Sequence, residues 1–258
     1  MRQKRFFFHY LIPWVLPLLL LVTWHVVTTK GIIGAQTFPQ PLKVLDTLIT
    51  LLQTGELTQY IGDSAKRAFT GFVIGGGLGL ALGMINGLST ISEKLLDSSI
   101  QMVRNIPHLA LIPLVILWFG IAEPAKLVLI SLGVFFPIYL NTFHGIRSID
   151  PTLTEMGRVY NLNKRALFWH VILPGSLPSI LVGVRYSLGV MWLTLIVAET
   201  VAADSGIGFM AMNGREFMQM DVIVLSILIY ALLGKLSDTV AKWMEKSWLK
   251  WHPNFAKD

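Results

Sequence analysis

The strongest constraint in this sequence is the length of its runs free of Asp, Glu, Lys and Arg. They extend from Phe6 to Thr29, Ala68 to Ser92, Asn105 to Ala122 and Leu127 to Ile146. A further run, Ala166 to Ala198, is broken only by Arg185, and a last one from Val222 meets Lys235 and Asp238 near its far end. A bilayer core takes about 20 apolar residues per helical crossing, so the runs predict an all-α polytopic membrane protein with about six transmembrane helices. Only 14% of the residues are charged, against roughly 25% in ordinary soluble domains. Such a chain cannot hide its apolar surface in water.

Arg2, Lys4 and Arg5 precede the first run, but no small-x-small cleavage pattern follows it, so the run reads as a retained anchor rather than a signal peptide. Six crossings put both ends on one side. Placing that side in the cytoplasm gives the inner segments twelve Lys and Arg against six outside, which predicts cytoplasmic termini by the positive-inside rule. The net charge of +6 gathers at membrane edges and in the C-terminal tail, an arrangement that argues against nucleic-acid binding. With no cysteine, the chain has no disulfide, thiol nucleophile or thiolate metal site. Its six histidines form no H-x-x-x-H pair and no acidic dyad lies within a crossing, so neither a catalytic residue nor a metal site is predicted. Acidic groups sit near the ends of the runs, whereas a proton- or sodium-driven carrier usually has a carboxylate at mid-membrane.

Between the first two runs, Pro41, Val44, Leu45, Leu48, Leu51 and Leu52 recur at helical spacing and predict a short amphipathic helix at the outer interface. The second run carries Gly71, Gly75, Gly79, Gly83 and Gly87, each four residues apart. This spacing makes a stripe on one side of a helix where another backbone comes close, within this chain or in a second copy. Prolines 107, 113, 137, 174 and 178 fall inside or beside crossings. Broken helices suit a transport path, although Pro kinks also occur in membrane proteins that transport nothing.

The segment after the fourth run holds two helix-favouring stretches, Pro151 to Tyr160 and Lys164 to Ile172, with Asp150 and Pro151 as a helix start. Met156, Val159, Tyr160 and Leu162 stand beside Glu155 and Arg158, a mixture that either docks into a partner's cleft or lies solvated beneath the bilayer. Glu155-Met156-Gly157, then Asn161, then Val171-Ile172-Leu173-Pro174, resembles the EAA loop of ABC importer permeases, whose pattern is E-A-A, three residues, G, nine residues, I-x-L-P. The spacing matches throughout. Met156 and Gly157 replace the two alanines, Val171 the isoleucine, and Asn161 the glycine; Asn is the residue next to glycine in tolerating a left-handed turn.

The resemblance covers nearly the whole chain and is closest to permeases of aliphatic sulfonate importers, with matching stretches 99–121, 136–150, 170–185, 191–200 and 205–221. Taurine and nitrate permeases share the layout but carry another proline-rich sequence in place of Arg104-Asn105-Ile106-Pro107-His108. The resemblance implies a type-1 transmembrane domain over residues 60–244, after an anchor and outer segment (1–59) and before a basic tail (245–258). It further implies a bacterial plasma-membrane permease paired with a second copy, a cytoplasmic ABC ATPase and an extracytoplasmic solute-binding protein. Glu155, Met156, Gly157, Tyr160, Asn161, Leu162, Leu173 and Pro174 form the ATPase-coupling loop in this reading. No G-x-x-x-x-G-K-[ST] loop is present, so ATP and Mg belong to the partner ATPase and this chain binds no cofactor.

Arg185 stands deep in the fifth run, where it either lines an anion-permissive path or is a buried charge bonded to backbone carbonyls. Arg104 is read as snorkelling and Lys235 as neutralised by Asp238 on the same helix face. Trp118, Trp192 and Thr194 are the remaining candidates for the path, although aromatic residues at such positions are more often lipid or packing contacts. Glu199 and the turn Ser205-Gly206-Ile207-Gly208 match the family pattern, with gating or binding-protein contact as possible roles.

Overall fold

A computed structural model describes residues 12–34 and 37–251. The basic cluster Arg2, Lys4 and Arg5, the start of the first run at Phe6, and the tail from His252 lie outside the described residues. The described residues are helical without a strand. In chain order they form α1 (Ile12–Thr29), α2 (Pro41–Gln53), α3 (Glu56–Leu88), α4 (Thr90–Arg104), α5 (His108–Phe119) and α6 (Glu123–Arg147). There follow α7 (Pro151–Val159), α8 (Lys164–Ala202), α9 (Ile207–Glu216) and α10 (Met220–Trp248).

Four helices, α3, α6, α8 and α10, are long and apolar enough to cross a membrane, and the bent pair α4 and α5 makes a fifth if it counts as one span. Apolar α1 has 18 residues in its described part. The third expected crossing, from Asn105, is corrected to one shared by the bent pair: α5 alone spans roughly 18 Å at helical rise, short of a hydrocarbon core of about 30 Å. Helices α3 and α6 run parallel, with Gly71 at Ile130 and Gly87 at Ile146, so the segment between them passes from one end of the bundle to the other. Its axis turns by 80° from α4 at the break between Arg104 and His108. Pro107 lacks a backbone donor and disfavours the helical conformation at Ile106, which accounts for the break.

The second crossing also differs from expectation. Helix α3 starts at Glu56 after Gly55 at φ 82°, so Lys66 and Arg67, which precede the run from Ala68 and count among the six outer basic residues, are helical and Arg67 is buried. Helices α3 and α10 run unbroken through residues 59–60 and 244–245. The glycine stripe has its partner within the chain. All five glycines are buried against α6: Gly71 meets Ile130, Gly75 the backbone of Ser131, Gly79 that of Phe135, Gly83 Thr142, and Gly87 Ile146. Ser131 Oγ donates to the Gly71 carbonyl at 3.1 Å, a bond made possible by this close approach.

Helix α8 packs across the other side of α6, and α9 and α10 close around α8. The main core joins Ala68, Ile130, Val134, Ile138, Leu195, Ile207, Leu225 and Tyr230 from α3, α6, α8, α9 and α10. Amphipathic α2 buries Val44 in this core, with Leu48 and Leu51 packed against it and Leu45 and Leu52 exposed. Thr47 Oγ1 donates to Asp221 Oδ2 at 2.6 Å and fastens α2 to the start of α10.

Candidate functional site

Helix α7 stands between two spans and is built by local signals. The Asp150 carboxylate accepts from the Thr152 N–H at 2.9 Å, Pro151 opens the first turn, and Asn163 caps the start of α8 by accepting from the Ala166 N–H at 2.8 Å. Hydrogen bonds from the Thr152 hydroxyl and backbone hold the exposed Asp150 carboxyl below the ordinary aspartate value. Asn161 has φ 54°, the left-handed turn that the family glycine would supply. Gly157 faces inward, where a methyl group would meet Leu167 Cδ1 at 2.6 Å, so α7 sits tightly on the start of α8.

The rest of α7 is bare apart from half-buried Thr154. Glu155 and Arg158 are exposed, and so are Leu153, Met156, Val159 (80%) and Tyr160 (73%). Leu162 is half-buried against Gly157, and Leu173 and Pro174 are half-buried at the base of the span. An apolar stripe flanked by two opposite charges, on a helix held by its small residue, suits insertion into a groove of another protein.

At the far end of the bundle lies a buried network that sequence reasoning missed. Glu199 of α8 is enclosed, and its carboxylate accepts from Ser64 Oγ (2.8 Å), Arg67 Nη1 (2.9 Å), Tyr230 OH (2.9 Å) and the Gly208 N–H (2.8 Å). Arg67 spends all its donors: its Nε and Nη2 grip Glu123, and Ser205 receives Nη1 at its carbonyl and Nη2 at its hydroxyl. Lys126 Nζ reaches Glu123 Oε1 at 2.8 Å. Helices α3, α6, α8 and α10 and the turn before α9 thus meet on one ion cluster. The sequence held one signal for it: Arg67 and Glu199 both border apolar runs, but nothing local pairs groups 132 residues apart.

The four path candidates do not converge. Trp118 is 66% exposed on α5. Thr194 is buried on α8 with its hydroxyl 3.0 Å from His108 Nε2. Trp192 donates to Ser237 Oγ at 2.8 Å and stacks edge-on with Tyr230. Arg185 bonds carboxylates rather than backbone carbonyls: Nε donates to Asp238 Oδ1 at 2.8 Å and Nη1 to Glu245 Oε2 at 3.5 Å. Asp238 takes Lys242 at 2.9 Å as its second cation, so the expected pairing with Lys235 is corrected. One helical turn places residues 238 and 242 as close as 235 and 238, and the cross-helix arginine decides the rotamer. No group of three or more metal-ligating side chains occurs among the described residues.

A helical membrane bundle that projects a short, bare amphipathic helix from the loop between two spans is built as the membrane component of a multi-subunit transport system. Residues 75–250 match the family of binding-protein-dependent transport system inner membrane components, and the chain belongs to that family. It is 57% identical to the aliphatic sulfonates transport permease protein SsuC of Escherichia coli (strain K12), over 94% of this chain and 92% of that protein. Identity to the protein of the same name from Bacillus subtilis (strain 168) is 43%, over 93% and 87% of the two chains. To the taurine transport system permease protein TauC of Escherichia coli (strain K12) it is 33%, over 90% and 86%. The chain is therefore a multi-pass inner-membrane permease subunit and not itself an enzyme.

Proposed function

We propose that this chain is the membrane-spanning subunit of an ATP-driven importer for aliphatic sulfonates. The 57% identity to a protein of that name over 94% of the chain carries the substrate reading. The bare face of α7 supports the drive mechanism. Leu153, Met156, Val159 and Tyr160 dock in a groove of a cytoplasmic ABC ATPase, while Gly157 and left-handed Asn161 hold α7 rigidly on α8. ATP and Mg are bound by that ATPase. Two copies of this chain pair in the membrane with both termini and α7 in the cytoplasm, and the cluster around Glu199 lies at the outer end where a solute-binding protein delivers its cargo. Closure of the ATPase pair pulls on α7, and because α7 is seated on the start of α8, the motion passes directly into a spanning helix.

Uptake tests this reading. The chain is reconstituted in liposomes with its ATPase and binding protein and given labelled alkanesulfonate, with taurine, nitrate and sulfate as competitors. ATP-dependent accumulation resistant to those competitors is expected. Accumulation of taurine or nitrate instead would replace the substrate and keep the importer, and loss of all ATP-dependent transport would refute the proposal. Gly157→Arg forces a long side chain into the Leu167 contact and is expected to abolish ATPase association in a pull-down.

A further inference from the structure

The coupling helix and the ion cluster around Glu199 leave unused a charged group formed by Arg185, Asp238, Lys242 and Glu245 between α8 and α10. Arg185 follows Leu173 by twelve residues and precedes Ala202 by seventeen. At helical rise this puts it roughly 18 Å from one end of the spanning segment and roughly 26 Å from the other. Its side chain is nevertheless 38% exposed on the surface of the chain. Ionised groups at that depth face protein or water and not lipid tails. The cluster opens onto a cleft of ≈ 510 Å³ whose wall is apolar, with Val182, Tyr186, Val190 and Leu193 from α8 and Gly234 from α10. One charged end and one long apolar wall match an amphiphilic anion.

We propose that this cleft is a segment of the translocation path, in which Arg185 meets the sulfonate head while the alkyl chain lies along Val190 and Leu193; the ligand class rests on the importer reading above. Arg185 Nη2 makes no hydrogen bond among the described residues and is the donor available to an incoming oxygen. The two cations face two carboxylates, so the cluster has no net charge. A bare guanidinium in a dry site would hold an anion as a trap. Asp238 and Glu245 compete with the sulfonate for Arg185, so the anion is received and given up again.

The absence of cysteine makes the cleft directly addressable, because a single introduced thiol has no background within this chain, and labelling is read on this chain after separation from its partners. Leu193→Cys is prepared in the assembled transporter in liposomes and reacted with anionic sulfonatoethyl and cationic trimethylammonioethyl methanethiosulfonates. Reaction with both reagents is expected, with protection by added alkanesulfonate. Adding Arg185→Gln should lower the anionic-to-cationic rate ratio by about tenfold or more, the loss of one unit charge nearby in a site drier than water. Arg185→Lys should preserve the ratio, which a merely structural arginine would not require. An inert Leu193→Cys in every nucleotide state, as lipid or a second copy sealing the cleft would produce, overturns the path assignment. A rate ratio unchanged by Arg185→Gln does the same. If the unsubstituted transporter takes up no alkanesulfonate while the ratio still depends on Arg185, the substrate reading falls and the path assignment stands.

Discussion

Replacing Gly75 by alanine puts one carbon into the tightest part of the α3–α6 contact. The new Cβ would stand 2.6 Å from Ser131 Cα and 2.7 Å from its carbonyl carbon, where packed carbons normally keep about 3.5–4.0 Å. The neighbouring atoms are backbone, so no rotamer change relieves the overlap and the helices must part by about 1 Å. Overpacking of this kind costs about 1–3 kcal/mol. Alanine's higher helix propensity returns up to about 1 kcal/mol. The control is Gly77, two residues along the same helix, where an added Cβ meets nothing within 4 Å. Gly77→Ala should be neutral or stabilise by up to about 1 kcal/mol. The two variants share composition and membrane environment, so their difference isolates the contact, and it should be about 2 kcal/mol. Denaturant titration of the purified permease in mixed micelles, followed by circular dichroism, measures it. Equal midpoints for the two variants would refute the claim that the stripe is a helix–helix seam.

Arg67→Gln should destabilise the protein by about 3–5 kcal/mol, because it leaves the enclosed Glu199 carboxylate without a cation, and Glu199→Gln should cost less, because Arg67 keeps Glu123 as its partner. In the same titration the double variant should lose clearly less than the sum; additive losses would show that the two residues do not act as a pair. Asn161→Gly should leave ATP hydrolysis coupled to transport, whereas Asn161→Val, forced to φ 54°, should cost about 1–2 kcal/mol locally and weaken coupling in proteoliposomes. Asp150→Ala should raise amide hydrogen exchange at the start of α7. Because the Asp150 carboxyl is held below its ordinary value, its contribution is fully present above the ordinary aspartate pKa and disappears as pH falls through the lowered one. Protection of α7 in the unsubstituted protein should therefore be independent of pH across the neutral range and should fall only in acid.

Features whose causes lie close together in the chain were legible in the sequence. Asp150, Pro151, Gly157 and Asn161 specify a capped helix and a left-handed turn within a dozen residues, and the structure builds both. The glycine register was equally visible, but its partner was not, since a stripe of small residues says that a backbone comes close without saying which one. Charge-free runs located the spans but misplaced their ends. Arg67 ended a run without ending a helix, because Glu123 and Glu199 from distant parts of the chain neutralise it. The run from Asn105 was counted as a whole crossing by length alone, while Pro107, which was visible, bends the chain there so that α4 and α5 share the crossing. Lys235 and Asp238 were paired by helical spacing, and Arg185 on another helix outbid that local partner.

The elbow at Pro107 has a consequence for how the protein sits among lipids. Where α4 ends and α5 begins, the backbone leaves its helical ladder: the Asn105 and Ile106 N–H groups turn back to the Met102 and Val103 carbonyls, and His108 and Leu109 open a new helix without the N–H partners that a continuous one would give them. Hydrocarbon offers no substitute, and open backbone at membrane depth persists only against protein or water. The flank of the bundle bearing this elbow must therefore be shielded from acyl chains. The lipid annulus around one subunit is an incomplete ring, interrupted on the side where this crossing bends.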